Sequence, residues 1–223
     1  MKKKKNYLPY LILTMSILLL GCDSNETQLN PDMDDDIENV MISGSYPFHD
    51  NEEALFEYAD LVIIGKTKQN FMDREHVIEY MESYHDNLDQ AIGDYYTRTS
   101  VIIDKVLKQP ASENFKSKSD LTIIEPISII TYDDGTRQKL IAEDYQEIEK
   151  DQSYLLYLVE NVYGEYTITN SFNGRFNLDQ KEQMKYTHLQ NHSSDQVDSL
   201  DKELKDIHVK ILDSAKQRIK ETK

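Results

Sequence analysis

Six histidines, one cysteine and 41 carboxylates, set against 25 lysines and arginines, are the side chains of this sequence with the most chemistry to offer. The histidines are His49, His76, His85, His188, His192 and His208. His188 and His192 stand four apart, so on a helix they would share a face and, with Asp195, offer three metal ligands. The intervening Asn191 and the following Ser193 and Ser194 read as loop, and no metal site is expected there. Asp32, Asp34 and Asp36 fit the first three ligand positions of a calcium loop. Ile37 then falls where a glycine must turn the chain, and Ser43 where a bidentate glutamate must close the site. That run reads as solvated acid. The sequence also lacks a G-x-S-x-G elbow, a phosphate-binding loop, a dinucleotide fingerprint and an H-E-x-x-H pair. No cofactor is expected, and the reading is non-catalytic. A hydrolase would need Asp, Glu and His residues dispersed in sequence and brought together in space.

The one cysteine, Cys22, excludes an internal disulfide framework and a cysteine-rich metal knuckle. Its context supplies its chemistry. Lys2 to Lys5 precede an apolar run from Tyr7 to Leu20, which is followed by Gly21-Cys22. A basic start and a short apolar stretch read as an export signal, and the run is shorter than the roughly 20 residues a permanent span needs. Leu19-Leu20-Gly21-Cys22 resembles the lipobox of bacterial lipoproteins. That resemblance implies cleavage after Gly21, a diacylglycerol thioether on Cys22, and a lipid anchor on the extracytoplasmic face of the cell membrane. Two acyl chains hold stably where one binds marginally. Cys22 is thus expected as an anchor to the bilayer rather than a nucleophile.

Four segments are expected: a signal over 1–21, an acidic tether over 22–45, a β-barrel domain over 46–180 and a helix over 195–222. The tether carries Asp23, Glu26, Asp32, Asp34, Asp35, Asp36 and Glu38 and no base, a composition that repels itself and buries little. The formal charge of −16 argues against nucleic acid as a partner, since phosphate binding needs Lys and Arg, and favours cationic proteins or peptides.

Within the domain, Glu52 to Tyr58 reads as a short helix, and Leu61 to Ile64, Tyr95 to Leu107 and Leu121 to Thr131 as strands, the last bent at Pro126. Asp133-Asp134-Gly135 is a hairpin signal, and Tyr163-Gly164-Glu165 another. Ser153 to Val159 is apolar on both faces, so it demands cover on both sides, as in a barrel with an outer helix. The pattern Val197, Leu200, Leu204, Ile207, Ile211, Ala215 makes the last segment an amphipathic helix. It would pack on the barrel or, in the alternative, present a stripe to a partner; His208 is read at its edge. The fold class is mainly β with flanking helices: a small OB-like antiparallel barrel plus a C-terminal amphipathic helix.

Residues 69–93 form the unusual insertion. Val77, Ile78, Met81, Tyr84, Leu88 and Ile92 fit helical spacing, so a helical insertion near 70–92 is expected. Tyr84, Tyr95 and Tyr96, with Tyr80, offer the amphipathic contact area used at interfaces, or else they fill the barrel rim. Glu53-Ala54-Leu55-Phe56-Glu57-Tyr58-Ala59-Asp60-Leu61-Val62-Ile63-Ile64-Gly65-Lys66 resembles the opening of netrin-like domains, including the tissue inhibitors of metalloproteinases. Val101 to Lys108, Ser153 to Leu158 and Gly174-Arg175-Phe176 resemble their later elements. The resemblance implies an OB-like barrel over about 52–178. The metalloproteinase inhibitors chelate zinc through a disulfide-fixed N-terminal cysteine; here the sole cysteine resembles a lipid anchor, so that mechanism does not carry over. The function expected is a membrane-anchored binding or interaction module with an extracytoplasmic protein partner. The alternative is an inhibitor or sensor of a secreted protease or cell-wall enzyme.

Overall fold

The computed structural model describes residues 37–44, 47–81, 91–142, 145–179 and 195–222, with side chains of the last segment described from 202 onward. The expected signal, Cys22, most of the tether, Tyr84, His85, His188 and His192 lie outside the described residues. The described fold is mainly β with two α-helices: β1 Glu38–Ile42, α1 Glu52–Tyr58, β2 Leu61–Lys66, β3 Glu75–Tyr80, β4 Ile92–Lys108, β5 Asp120–Glu125, β6 Ile127–Thr131, β7 Arg137–Ala142, β8 Tyr154–Glu160, β9 Tyr166–Ile168, β10 Arg175–Asn177 and α2 Asp195–Glu221.

Five strands close on themselves: β8 pairs β2, β2 pairs β4, β4 pairs β5, β5 pairs β9, and β9 returns to β8. This is an OB-like barrel. It is antiparallel except where β5 and β9 run parallel, a pairing that the long connection through β6, β7 and β8 makes possible. β3 extends the sheet from β4, and β10 from β8. β6, β7 and β1 form a second, three-stranded sheet. Pro126 separates β5 from β6, and the two halves of that apolar run serve different sheets.

β8 meets the demand its sequence makes. Tyr154, Leu156 and Leu158 join Leu61, Ile63, Val101, Ile103, Ile123, Tyr166 and Ile168 inside the barrel. Leu155 and Tyr157 point outward to Leu55, Ala59, Phe176, Ile211 and Ala215, a second core beneath α1 and α2. α1 starts at Asn51, whose side chain accepts from the Ala54 amide. It ends under Lys108, whose ammonium donates to the carbonyls of Phe56, Glu57 and Ala59 at 2.7, 2.9 and 2.5 Å. Arg218 of α2 grips the Glu52 carboxylate with two bonds of 2.7 Å. The Tyr157 hydroxyl donates to the same carboxylate at 3.0 Å. Burial pushes the Tyr157 phenol well up, so it stays protonated as a donor.

Three expectations need correction. Glu38–Ile42, placed in the tether, pairs parallel with β7 and carries Ile37 into the core. Averaging this segment with the acids before it hides the short apolar run Val40-Met41-Ile42. Glu75–Tyr80, placed in a helical insertion, is a strand preceded by a single 3-10 turn at Phe71–Asp73. A six-residue run fits either period, and cross-strand pairing with β4 decides it. His208, read as an edge residue, is 5% exposed, with Nδ1 2.8 Å from Asn173 Oδ1 and its ring 4.6 Å from that of Phe176. Burial first, then the Arg175 charge, lowers its pKa to about 4, so it is neutral at neutral pH.

Candidate functional site

β4 is longer than its neighbours. β3 pairs with it over Ile92–Arg98, whereas β5 pairs with it only from Thr97 to Ile102 and then turns away at Pro126. Among the described residues no strand covers the other side of Ile92–Tyr96. The space left is a groove of about 760 Å3. Tyr95, Tyr96, Asp94 and Arg98 of β4 and Glu79 of β3 line one wall; Ile124, Pro126 and Thr167 also line it, as do Asn161, Tyr163 and Glu165 of the β8–β9 hairpin. Relative to the barrel strands, this is the face of the second and third strands with the first and fourth connecting loops, where OB folds commonly receive ligands.

Each wall has a local cause. Glu75, Val77 and Glu79 stand opposite Arg98, Tyr96 and Asp94 in register, and period-2 alternation puts all six on one face of the β3–β4 ribbon. The other face packs against β6: the Ile129 amide donates to His76 Nδ1 at 3.2 Å, and Nε2 meets the Phe71 carbonyl at 3.1 Å. Nδ1 therefore accepts and Nε2 carries the proton. Burial lowers the His76 pKa, keeping the neutral form that this arrangement uses. Opposite, Gly164 takes a φ of 81° that closes the β8–β9 turn. The turn lifts Val162 and Tyr163 out of the protein, 93% and 84% exposed.

Arg98 fastens the groove at its barrel end. Its guanidinium donates to Glu75 at 2.8 Å and to Glu165 at 3.0 Å, and its carbon lies 5.3 Å from the centre of the Tyr96 ring. These carboxylates hold its pKa above the usual value. The Tyr96 hydroxyl donates to Glu79 Oε1 at 3.2 Å, and burial followed by the Glu79 contact raises its pKa. Asp94 Oδ1 accepts the amide of Tyr95 at 2.8 Å. The result is an open surface of two tyrosines, Tyr96 and Tyr163, and surplus carboxylate, while the Tyr95 ring lies on the alternate face of β4.

Beneath the groove a buried network fixes β3, β4 and β5. Arg74 and Glu125 are fully buried and paired at 2.7 Å. The Glu125 carboxylate also accepts from the Thr99 hydroxyl, the Tyr145 hydroxyl at 2.9 Å and the Ile148 amide at 2.8 Å. Arg74 further donates to the carbonyls of Ile148 and Gln69. Both oxygens of that carboxylate accept two bonds each, which makes it a strut rather than an acid–base group.

Tyr95 and Tyr96, singled out by residue type, both border the groove, but only the Tyr96 ring is on the groove face and Tyr95 takes the alternate face of β4; Tyr84 lies outside the described residues. Sequence reading missed Glu79, Asp94, Arg98 and Glu165, whose association depends on strand register, and Tyr163, which read only as a turn residue. An apolar pair beside a turn glycine was the available signal. Among the described residues, no group of three His, Cys, Asp or Glu side chains is placed to hold a metal ion. No described helix is long and apolar enough to cross a membrane. No protein-family model matches the chain, and comparison with curated proteins returns no match.

Proposed function

We propose that this protein is a lipid-anchored, extracytoplasmic binding module: Cys22 holds it to the bilayer, and the groove along β4 receives a protein partner without catalysis. The groove carries this reading. Concave volume, the Tyr96 ring and the nearly fully exposed Tyr163 of the hairpin tip meet there, on the side of an OB-like barrel that commonly receives ligands. The resemblance to netrin-like domains adds a fold and no activity. The lipobox resemblance supplies the address.

The test is photo-crosslinking in cells from a benzophenone residue placed at Tyr163 in the full-length chain, with Val209 on α2 as the remote control. Val209 is itself 53% exposed. A discrete adduct from position 163 and none from 209 supports the module. Equal adduct patterns from both positions, or none from 163 in protein shown to sit in the membrane, refute it. The full-length chain should take up labelled palmitate in cells and Cys22→Ser should not; equal labelling of the two chains would refute the anchor.

A further inference from the structure

The rungs of the β3–β4 ribbon that face the groove are chemically uneven. At one end Glu75 opposes Arg98, in the middle Val77 opposes Tyr96, and at the other end Glu79 opposes Asp94. The first rung is a completed ion pair beside an aromatic ring. The last rung repeats the same setting on the other side of Tyr96, two strand residues further along, with two carboxylates and no cation. Directly opposed like charges work against strand pairing. Among the described residues neither Glu79 nor Asp94 takes part in an ion pair; their partners are the Tyr96 hydroxyl and the Tyr95 amide. Residues 82–90, which connect the two strands, add Glu82, Asp86 and Asp89 and contain neither Lys nor Arg. The described residues therefore build a position for a cation and place none of their own in it.

Resting on the groove reading above, we infer that the partner presents an extended, basic segment, with a lysine or arginine side chain seated between Glu79 and Asp94 against the Tyr96 ring. Arg98 displays the contact within the same protein: a guanidinium shared between carboxylates and laid near that ring, 5.3 Å from its centre. The uncovered side of Ile92–Tyr96 accommodates an extended backbone, and the exposed Val162 and Tyr163 flank it with apolar surface. The net negative charge around the groove steers a cationic segment in and repels polyanions, which distinguishes this site from the nucleic-acid grooves of other OB folds.

The experiment measures binding of fluorescein-labelled hexalysine and hexaarginine to the full-length chain in detergent micelles, by anisotropy at low and high salt. The double variant E79Q/D94N removes the subsite. E203Q/D213N removes the same charge from the exposed face of α2, remote from the groove. The expected result is about tenfold weaker binding to E79Q/D94N, because the peptide cation no longer pairs with either carboxylate, with the α2 variant within twofold of the parent. Thermal unfolding of E79Q/D94N should occur at the parent temperature or above, because removing the opposed charges relieves the ribbon; a folding defect is thereby separated from weakened binding. Equal weakening by both double variants, or binding by neither peptide, overturns the inference. If position 163 still crosslinks a partner in that case, the groove stands and only its ligand chemistry falls. Preference for a single-stranded oligonucleotide over both peptides overturns it as well.

Discussion

Replacing Arg74 by methionine keeps an unbranched apolar stem and removes the charge and the donors. In the folded protein this strands the Glu125 carboxylate, which is fully buried and loses its ion-pair partner. The carbonyls of Ile148 and Gln69 lose a donor as well. An uncompensated buried charge of this kind costs about 3–5 kcal/mol, a large part of the roughly 5–15 kcal/mol typical of a domain. The expected outcome is a large fall in the urea midpoint of R74M with little change in slope, followed by far-ultraviolet circular dichroism. The decisive comparison adds E125Q. The glutamine oxygen still accepts from Tyr145 or the Ile148 amide, whereas the buried charge is gone, so R74M/E125Q should be more stable than R74M alone. A second substitution that restores stability is the signature of charge compensation. If E125Q on top of R74M lowers the midpoint further, the network is held by hydrogen-bond geometry alone and the reasoning fails.

Two further outcomes follow from local structure. His208 is held neutral with a pKa of about 4, below its ordinary 6.5, so its contribution is complete above pH 6.5 and is lost as pH falls through 4. Linkage puts that loss at roughly 3 kcal/mol; H208Q should start less stable at pH 7 and lose less between pH 7 and 4. His76 shifts in the same direction and remains in both chains, so the difference isolates His208, and parallel pH profiles would refute the assignment. A Cβ at Gly174 would lie 1.6 Å from the Thr169 carbonyl oxygen, whereas one at Gly135 meets nothing within 4 Å and only its φ of 85° opposes it. G174A should therefore cost about 3 kcal/mol or more and G135A about 1 kcal/mol; equal melting temperatures for the two would contradict the turn geometry.

How much of this was legible in the sequence depended on whether the deciding interaction was local. The double apolar face of Tyr154 to Val159 implies cover on both sides, and both cores are present. Pro126 announces a break in a strand because its nitrogen has no hydrogen to donate, and the chain changes sheets there. The turn signals at Gly135 and Gly164 rest on a backbone conformation that other residues resist. Val77 and Ile78 misled because strand and helix periods agree over so short a run, and a partner some twenty residues away settles the matter. The same non-locality hid the groove. Tyr95 and Tyr96 are conspicuous by type, but Glu79 meets Asp94 only once the register of two strands is known. Arg74 and Glu125 gave no signal either, because an acid and a base about fifty residues apart become one strut only inside the fold.

β4 runs unbroken for 17 residues, about 55 Å at the rise of a strand. One end carries the groove, the middle fills the barrel, and the other end reaches over the terminus of α1 through Lys108. Its side chains alternate without interruption from Asp94 to Ile103, and irregularities opposite β2 then shift the alternation so that Val106 faces the barrel core and Leu107 the helix layer; one residue inserted between Tyr96 and Val101 would exchange inside for outside at one end or the other. In evolutionary terms the binding face and the helix layer are inherited together. Partner choice can drift by point substitution at rungs such as Glu79 and Asp94, whereas the length of this arm is under the same constraint as the barrel core.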